Sequence, residues 1–129
     1  MQPCRITIAT TADGQKSEIS REGFCLVLDG GAKLRYQDGG ALVALRLENG
    51  EVFIQRTGDY TLRLHLKENE ITSGTLGIHG AEGAVQVKTE KIAYSITHGV
   101  SLLLSLQYSL IIGAETQKMK LRIFAKTNG

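Results

Sequence analysis

The chain has 129 residues, 42% of them hydrophobic and 22% charged, and a formal net charge of +2. That length and balance suit one packed domain over residues 1–129 that buries a core without staples. So small a net charge argues against nucleic acid or an anionic membrane as a partner.

Taken in chain order, Met1-Gln2-Pro3-Cys4-Arg5-Ile6 lacks a basic stretch followed by an apolar one. No secretory leader is expected, and the cytoplasm is the expected location. Asp13-Gly14 predicts a two-residue type I′ hairpin turn that pairs Ile8 with Ile19 and Arg5 with Glu22. The same register sets Cys4 opposite Gly23. After Gly23 the apolar positions switch to Phe24, Leu26 and Leu28, which predicts a β-bulge there that turns Cys25 to the other face. Cys4 and Cys25 are therefore expected as free thiols, in keeping with a reducing compartment.

Asn49-Gly50 is the strongest turn signal. It pairs Leu47 with Val52, Leu45 with Ile54 and Val43 with Arg56, so Val43, Leu45, Leu47, Val52 and Ile54 share one face. Thr57-Gly58-Asp59 reads as a three-residue loop pairing Ile54 with Leu62 and Val52 with Leu64. From Asn69 to Gly83, glycines recur with only Ile71, Leu76 and Ile78 as anchors. A short edge strand or a mobile loop is expected there, and a flexible connector over Gly74 to Gly80. Thr97-His98-Gly99 reads as another three-residue loop, with Ile96 facing Val100, Tyr94 facing Leu102 and Ile92 facing Leu104. Val100 to Ile112 is the longest apolar stretch, but Ser101, Ser105, Gln107 and Ser109 break it, and a bilayer span needs about 20 apolar residues. Gly113-Ala114 suits a type II′ turn pairing Tyr108 with Met119, Leu106 with Leu121 and Leu104 with Ile123. The last strand then turns Lys118, Lys120, Arg122, Phe124 and Lys126 outward.

Period-two alternation interrupted by turns, with no sustained helical period, predicts an all-β fold. Consecutive hairpins without a covering helix leave edges, and closure into a small antiparallel up-and-down barrel removes them.

Several stretches carry a resemblance: Gly23-Phe24 entering a strand, Leu34-Arg35-Tyr36, Val52-Phe53-Ile54-Gln55-Arg56-Thr57-Gly58, Val87-Lys88-Thr89-Glu90-Lys91-Ile92, Tyr108-Ser109-Leu110 and Met119-Lys120-Leu121-Arg122-Ile123. In this order they resemble the YwiB-type family, small bacterial proteins of unknown function. The resemblance covers nearly the whole chain, though the Gly-rich segment from Thr72 to Gly83 departs from the family pattern. It implies a calycin-like, lipocalin-like closed barrel. It implies no reaction, because the family brings no assigned active site.

Chemistry-bearing residues are scattered. His65, His79 and His98 fall on an outward strand position, a Gly-rich stretch and a hairpin tip, so no metal site is expected. No His stands beside a nucleophile, and no enzyme and no cofactor are expected. Gly74-Thr75-Leu76-Gly77-Ile78-His79-Gly80 lacks the Gly-Lys-Ser/Thr ending and the following helix of a phosphate loop. The basic stripe of the last strand reads as a solvated edge device. Phe124 and Leu103 on the same outer face are the expected contact of a homodimer. Arg56 stands out, because it continues the inward face of Val52 and Ile54, and burying an unpartnered guanidinium is costly. It is expected opposite Val43 and Tyr60, stacked on the aromatic ring or paired with an acid.

The expected function is a non-enzymatic barrel that binds a small anionic or amphipathic molecule, with Arg56, Tyr60 and Tyr36 as ligand-binding residues. The alternative is a protein-interaction or regulatory module whose barrel interior is filled by its own side chains.

Overall fold

The computed structural model describes residues 1–128. Ten strands follow one another: β1 (Gln2–Ala12), β2 (Gln15–Val27), β3 (Gly31–Asp38), β4 (Ala41–Glu48), β5 (Glu51–Thr57), β6 (Tyr60–Leu66), β7 (Ile71–Ile78), β8 (Ala81–Thr97), β9 (Ser101–Ile112) and β10 (Glu115–Thr127). Each pairs antiparallel with its sequence neighbours, and β1 pairs with β10, so the sheet closes into an up-and-down barrel. No edge runs the length of the sheet, although the β6–β7 ladder joins only Tyr60–Arg63 to Thr75–Ile78.

The turn chemistry explains most registers. Asp13 and Gly14 adopt φ of 49° and 85°, and Asn49 and Gly50 adopt 52° and 76°. Both are the type I′ geometry that the dipeptides favour. The pairings Ile8 with Ile19, Leu45 with Ile54 and Leu104 with Ile123 follow as expected.

Four local expectations are corrected. The loop of the β5–β6 hairpin is Gly58-Asp59-Tyr60, because Thr57 pairs with Thr61; Ile54 faces Leu64 and Val52 faces Leu66. Likewise Thr97 pairs with Ser101, so Ile96 faces Leu102, Tyr94 faces Leu104 and Ile92 faces Leu106. The Val100 N–H donates to the Thr97 carbonyl at 2.9 Å, which holds Val100 in the turn. A slip of two residues leaves every side chain on its face, so alternation could not have detected it.

The third correction concerns residues 69–83. Ile71 to Ile78 is a wall strand, joined to β8 through His79-Gly80 at φ of 52° and 81°. This is a third type I′ turn, with His in a place that usually holds Asn or Asp, so the composition signal was missing. The fourth is Gly23. The β1–β2 ladder runs through Cys4↔Gly23 and on to Gln2↔Cys25 without a bulge. Gly23, Cys25 and Val27 face inward and are buried, while Phe24 and Leu26 lie outside. A Cβ on Gly23 would meet the Arg35 carbonyl oxygen and lie 2.9 Å from Ile6 Cδ1, so the glycine serves close packing. The bulge in the barrel is instead in β8, between Thr89 and Lys91.

The hairpin tips after β1, β3, β5, β7 and β9 all lie at one end of the barrel. At the other end the β8–β9 hairpin reaches over to β2: Gly99 N–H donates to the Val27 carbonyl at 3.0 Å, and His98 Nδ1 lies 3.0 Å from an Asp29 oxygen. Under that cover Val27, Leu47, Val52, Leu66 and Leu102 are buried. Toward the opposite end the inward residues Ile19, Tyr36, Ile54, Leu62, Leu76, Met119 and Leu121 are only partly covered. One end of the barrel is closed by packing and the other is less so.

With no bulge at Gly23, Cys4 and Cys25 both point into the core as diagonal neighbours. Both are free and buried. Burial, and then the neighbouring Cys25, push the Cys4 thiol up to about 12. Thiolate is the reactive form and both sulfurs are shut off from solvent, so both thiols should be inert in the folded protein. Titration with a chromogenic disulfide should find two thiols in unfolded, unreduced protein and almost none within minutes in native protein. Rapid native reaction would refute this placement.

Candidate functional site

The less covered end holds the residues expected to bind a ligand. Arg56 continues the inward face of β5 beyond Val52 and Ile54. Its ladder partners are Val43 on β4 and Leu62 on β6, which corrects the pairing with Tyr60. Tyr60 still meets it from the loop side. The guanidinium carbon lies 3.8 Å from the Tyr60 ring centroid, Nη1 donates to the Tyr60 carbonyl at 3.1 Å, and Nη2 donates to Asp59 Oδ1 at 3.0 Å. The short hairpin thus wraps its own arginine. The Arg56 side chain is 22% exposed and the Asp59 side chain 79%. The Arg56 hydrogen bond holds the Asp59 carboxyl below its usual range.

Tyr36 lies in the same cross-strand row, where Val43 pairs with both Tyr36 and Arg56. Burial, and then the Asp38 carboxylate, push its phenol up to about 12, with the cations Arg21 and Arg56 acting in the opposite direction. Arg21 Nη2 bonds Asp38 Oδ1 at 3.0 Å. The structure therefore brings Arg56, Tyr60 and Tyr36 to one end of the barrel and adds Arg21 and Asp38. Those two were missed, although Arg21 shares the inward parity of Ile19 and Gly23, the signal that could have found it. A groove of about 530 Å³ runs along the rim beside Asp59, Tyr60, Thr61, His79 and Glu82.

The other singled-out residues lie apart. His65 Nε2 is 2.6 Å from Glu51 Oε1, and its ring stacks on Phe53 with centroids 4.5 Å apart and an interplanar angle of 3°. His79 is in the β7–β8 turn and His98 at the β8–β9 tip. Among the described residues no three His, Cys, Asp or Glu side chains converge as a metal site. Leu103 and Phe124 are direct ladder partners on the outer face, and Phe124 is 43% exposed. Lys118, Lys120, Arg122 and Lys126 face solvent on β10. Thr89, at the β8 bulge, keeps its hydroxyl oxygen buried with no hydrogen-bond partner. Among the described residues no helix is long and apolar enough to cross a membrane.

These features define a closed, all-strand barrel with arginine and tyrosine at its less covered end. The family described as "Domain of unknown function (DUF1934)" matches residues 4–123, and the chain belongs to it. The crystal structure of the ywiB protein from Bacillus subtilis is similar at a TM-score of 0.81 and 16% sequence identity, covering 99% of this chain and 93% of that one. At that identity the likeness is one of fold, and it agrees with the resemblance read from the sequence. No curated protein matches the chain.

Proposed function

We propose that this barrel is a non-enzymatic binding protein that takes a small amphipathic anion at its open end. The arrangement of Arg56 carries the reading. Its planar fork, backed by Tyr60, already grips a carboxylate, that of Asp59, which is largely exposed and free to swing away. A ligand carboxylate or sulfonate would take the place of the Asp59 oxygen on Nη2, with Tyr36 beside it. Its apolar part would lie on the partly covered Ile54, Leu62 and Leu76.

The test is fluorescence titration with anilinonaphthalene sulfonate, followed by competition with decanoate. Wild-type protein should bind with decanoate displacing the dye. Arg56→Met should weaken binding at least tenfold, and Asp59→Asn, which frees the fork, should strengthen it severalfold. Arg56→Met should lower stability by only about 1 kcal/mol, because the acidic partner, Asp59, is largely exposed and the methionine keeps the apolar stem covered. No displaceable binding, or equal binding by Arg56→Met, would overturn the reading. The fully buried Leu34, Leu47, Leu66, Leu102, Leu104 and Leu106 would then favour a packed interaction module.

A further inference from the structure

A second surface, on the outside of the barrel wall, goes beyond the reading of the open end. The ladder pairings line up two rows of outward side chains across β2 to β6. One row is Leu26, Lys33, Arg46, Phe53 and His65; the other is Phe24, Arg35, Ala44, Gln55 and Arg63. Neither row contains a carboxylate. The chain as a whole is nearly balanced, with 15 Lys and Arg against 13 Asp and Glu. A net charge is a sum over the molecule, and the sheet has sorted part of it onto one face.

The cations of this face are short of counter-charges. At the border of the patch Arg46 reaches Glu48 at 3.1 Å and His65 reaches Glu51 at 2.6 Å. Among the described residues Lys33, Arg35 and Arg63 have no carboxylate within salt-bridge distance, and all three are exposed. Aromatic rings interleave with them. Arg35 lies over Phe24 at 5.3 Å, and Arg46 lies over Phe53 at 4.4 Å. Phe53 in turn stacks on His65, so arginine, phenylalanine and histidine form one column of flat groups. Ala44, with its short side chain, sits in the midst of these long ones. A groove of about 470 Å³ opens there, with Lys33, Arg35, Arg46, Phe53, Gln55 and Arg63 around it.

We propose that this face binds single-stranded nucleic acid. The occupant follows from two complementarities. Unpaired cations spread over β3 to β6 match the regularly spaced negative charges of a phosphate backbone. Flat groups between them, Phe24 at one border and the Arg46–Phe53–His65 column, which a base would extend at its His65 end, at the other, match bases that are free to stack because they are unpaired. A compact anion would use only one or two of the cations, and an acidic peptide would gain nothing from the rings. From β2 to β6 the face measures four strand spacings of about 4.8 Å, roughly 19 Å, which suits a few nucleotides.

The experiment is fluorescence anisotropy with a labelled twelve-residue oligo(dT), and the same length of oligo(U), over a range of salt concentrations. Saturation in the micromolar range at low salt is expected. Contact of four phosphates would give a log–log salt slope of about −2.8. Arg35→Gln with Arg63→Gln should weaken binding at least tenfold and flatten the slope by about 1.4. Phe24→Leu should weaken oligonucleotide binding severalfold while leaving inorganic polyphosphate binding unchanged. All these positions are exposed or on the outer face, and an unchanged circular dichroism melt should accompany each variant. Lys118→Gln with Lys120→Gln, on β10, is the control and should change little. The proposal is overturned if no saturation occurs up to 100 μM protein at low salt, or if the β10 control weakens binding as much as the Arg35 and Arg63 pair. It is equally overturned if polyglutamate competes as well as unlabelled oligonucleotide.

Discussion

Replacing Gly74 by Val is expected to destabilise the barrel by about 3 kcal/mol, at the upper end of the cost of overpacking a core. Gly74 lies on the inward side of β7, opposite Val85. A Cβ there would collide with the Arg63 carbonyl oxygen and come within 3.1 Å of Val85 Cγ2 and 3.2 Å of Leu64 Cδ2. The backbone oxygen cannot turn aside as a flexible side chain could, so the strand itself must move. Gly83 provides the control, because a Cβ on it meets nothing within 4 Å. Gly83→Ala should be neutral or stabilise slightly, since it lowers the freedom of the unfolded chain. Urea unfolding of both variants separates a packed wall strand from a flexible connector. Equal midpoints for Gly74→Val and wild type would mean that 71–78 is not part of the wall.

Raising the pH from 9 to 12 should remove several kcal/mol of stability, an amount comparable to the whole stability of many domains. Three groups in or against the core have raised pKa values. Tyr108 is pushed up to about 12 by burial, Tyr36 to about 12 by burial and then Asp38, and Cys4 to about 12 by burial and then Cys25. For an acid whose folded pKa lies above its unfolded one, the neutral form is favoured in the fold. Its contribution is complete below the unfolded pKa, near 9 for the thiol and 10 for the phenols, and is lost as pH climbs through the folded value. The two-unit rise at Tyr108 alone corresponds to about 2.7 kcal/mol. Urea midpoints should therefore be level from pH 7 to 9 and fall steeply above 10. Tyr108→Phe should lose about that much of the pH dependence, whatever its stability at pH 7. A wild-type midpoint as high at pH 11.5 as at pH 8 would refute the burial of these groups.

Much of this fold was legible because hairpins are local. Asp13-Gly14, Asn49-Gly50 and Gly113-Ala114 each carry enough backbone chemistry to set a register, and alternation confirms which face is inward. The loops around Gly58 and Gly99 lie one residue further on than expected, which shifts each cross-strand partner by two, and period two is blind to such a shift. His79-Gly80 was missed because histidine is not a usual type I′ residue, and without that turn the glycines of β7 look like a connector. The open-end site was partly legible: Arg56 showed itself as a charge on an apolar face. Arg21 carried the same signal, two residues after the inward Ile19, and was missed.

What the sequence determined by itself is the strand-and-turn grammar: an all-strand chain, its inward faces apart from the second half of β2, and one arginine that had to find partners at the barrel's end. Those are nearest-neighbour properties of a chain whose side chains alternate. The tertiary structure decided the rest. Closure of β1 on β10, the reach of the β8–β9 hairpin over one end, the meeting of Cys4 with Cys25, and the gathering of Lys33, Arg35, Arg46 and Arg63 on one outer face all depend on residues distant in sequence. Alternation assigns a residue to inside or outside. Only the barrel's curvature and cross-strand registers decide which of the inside or outside residues touch.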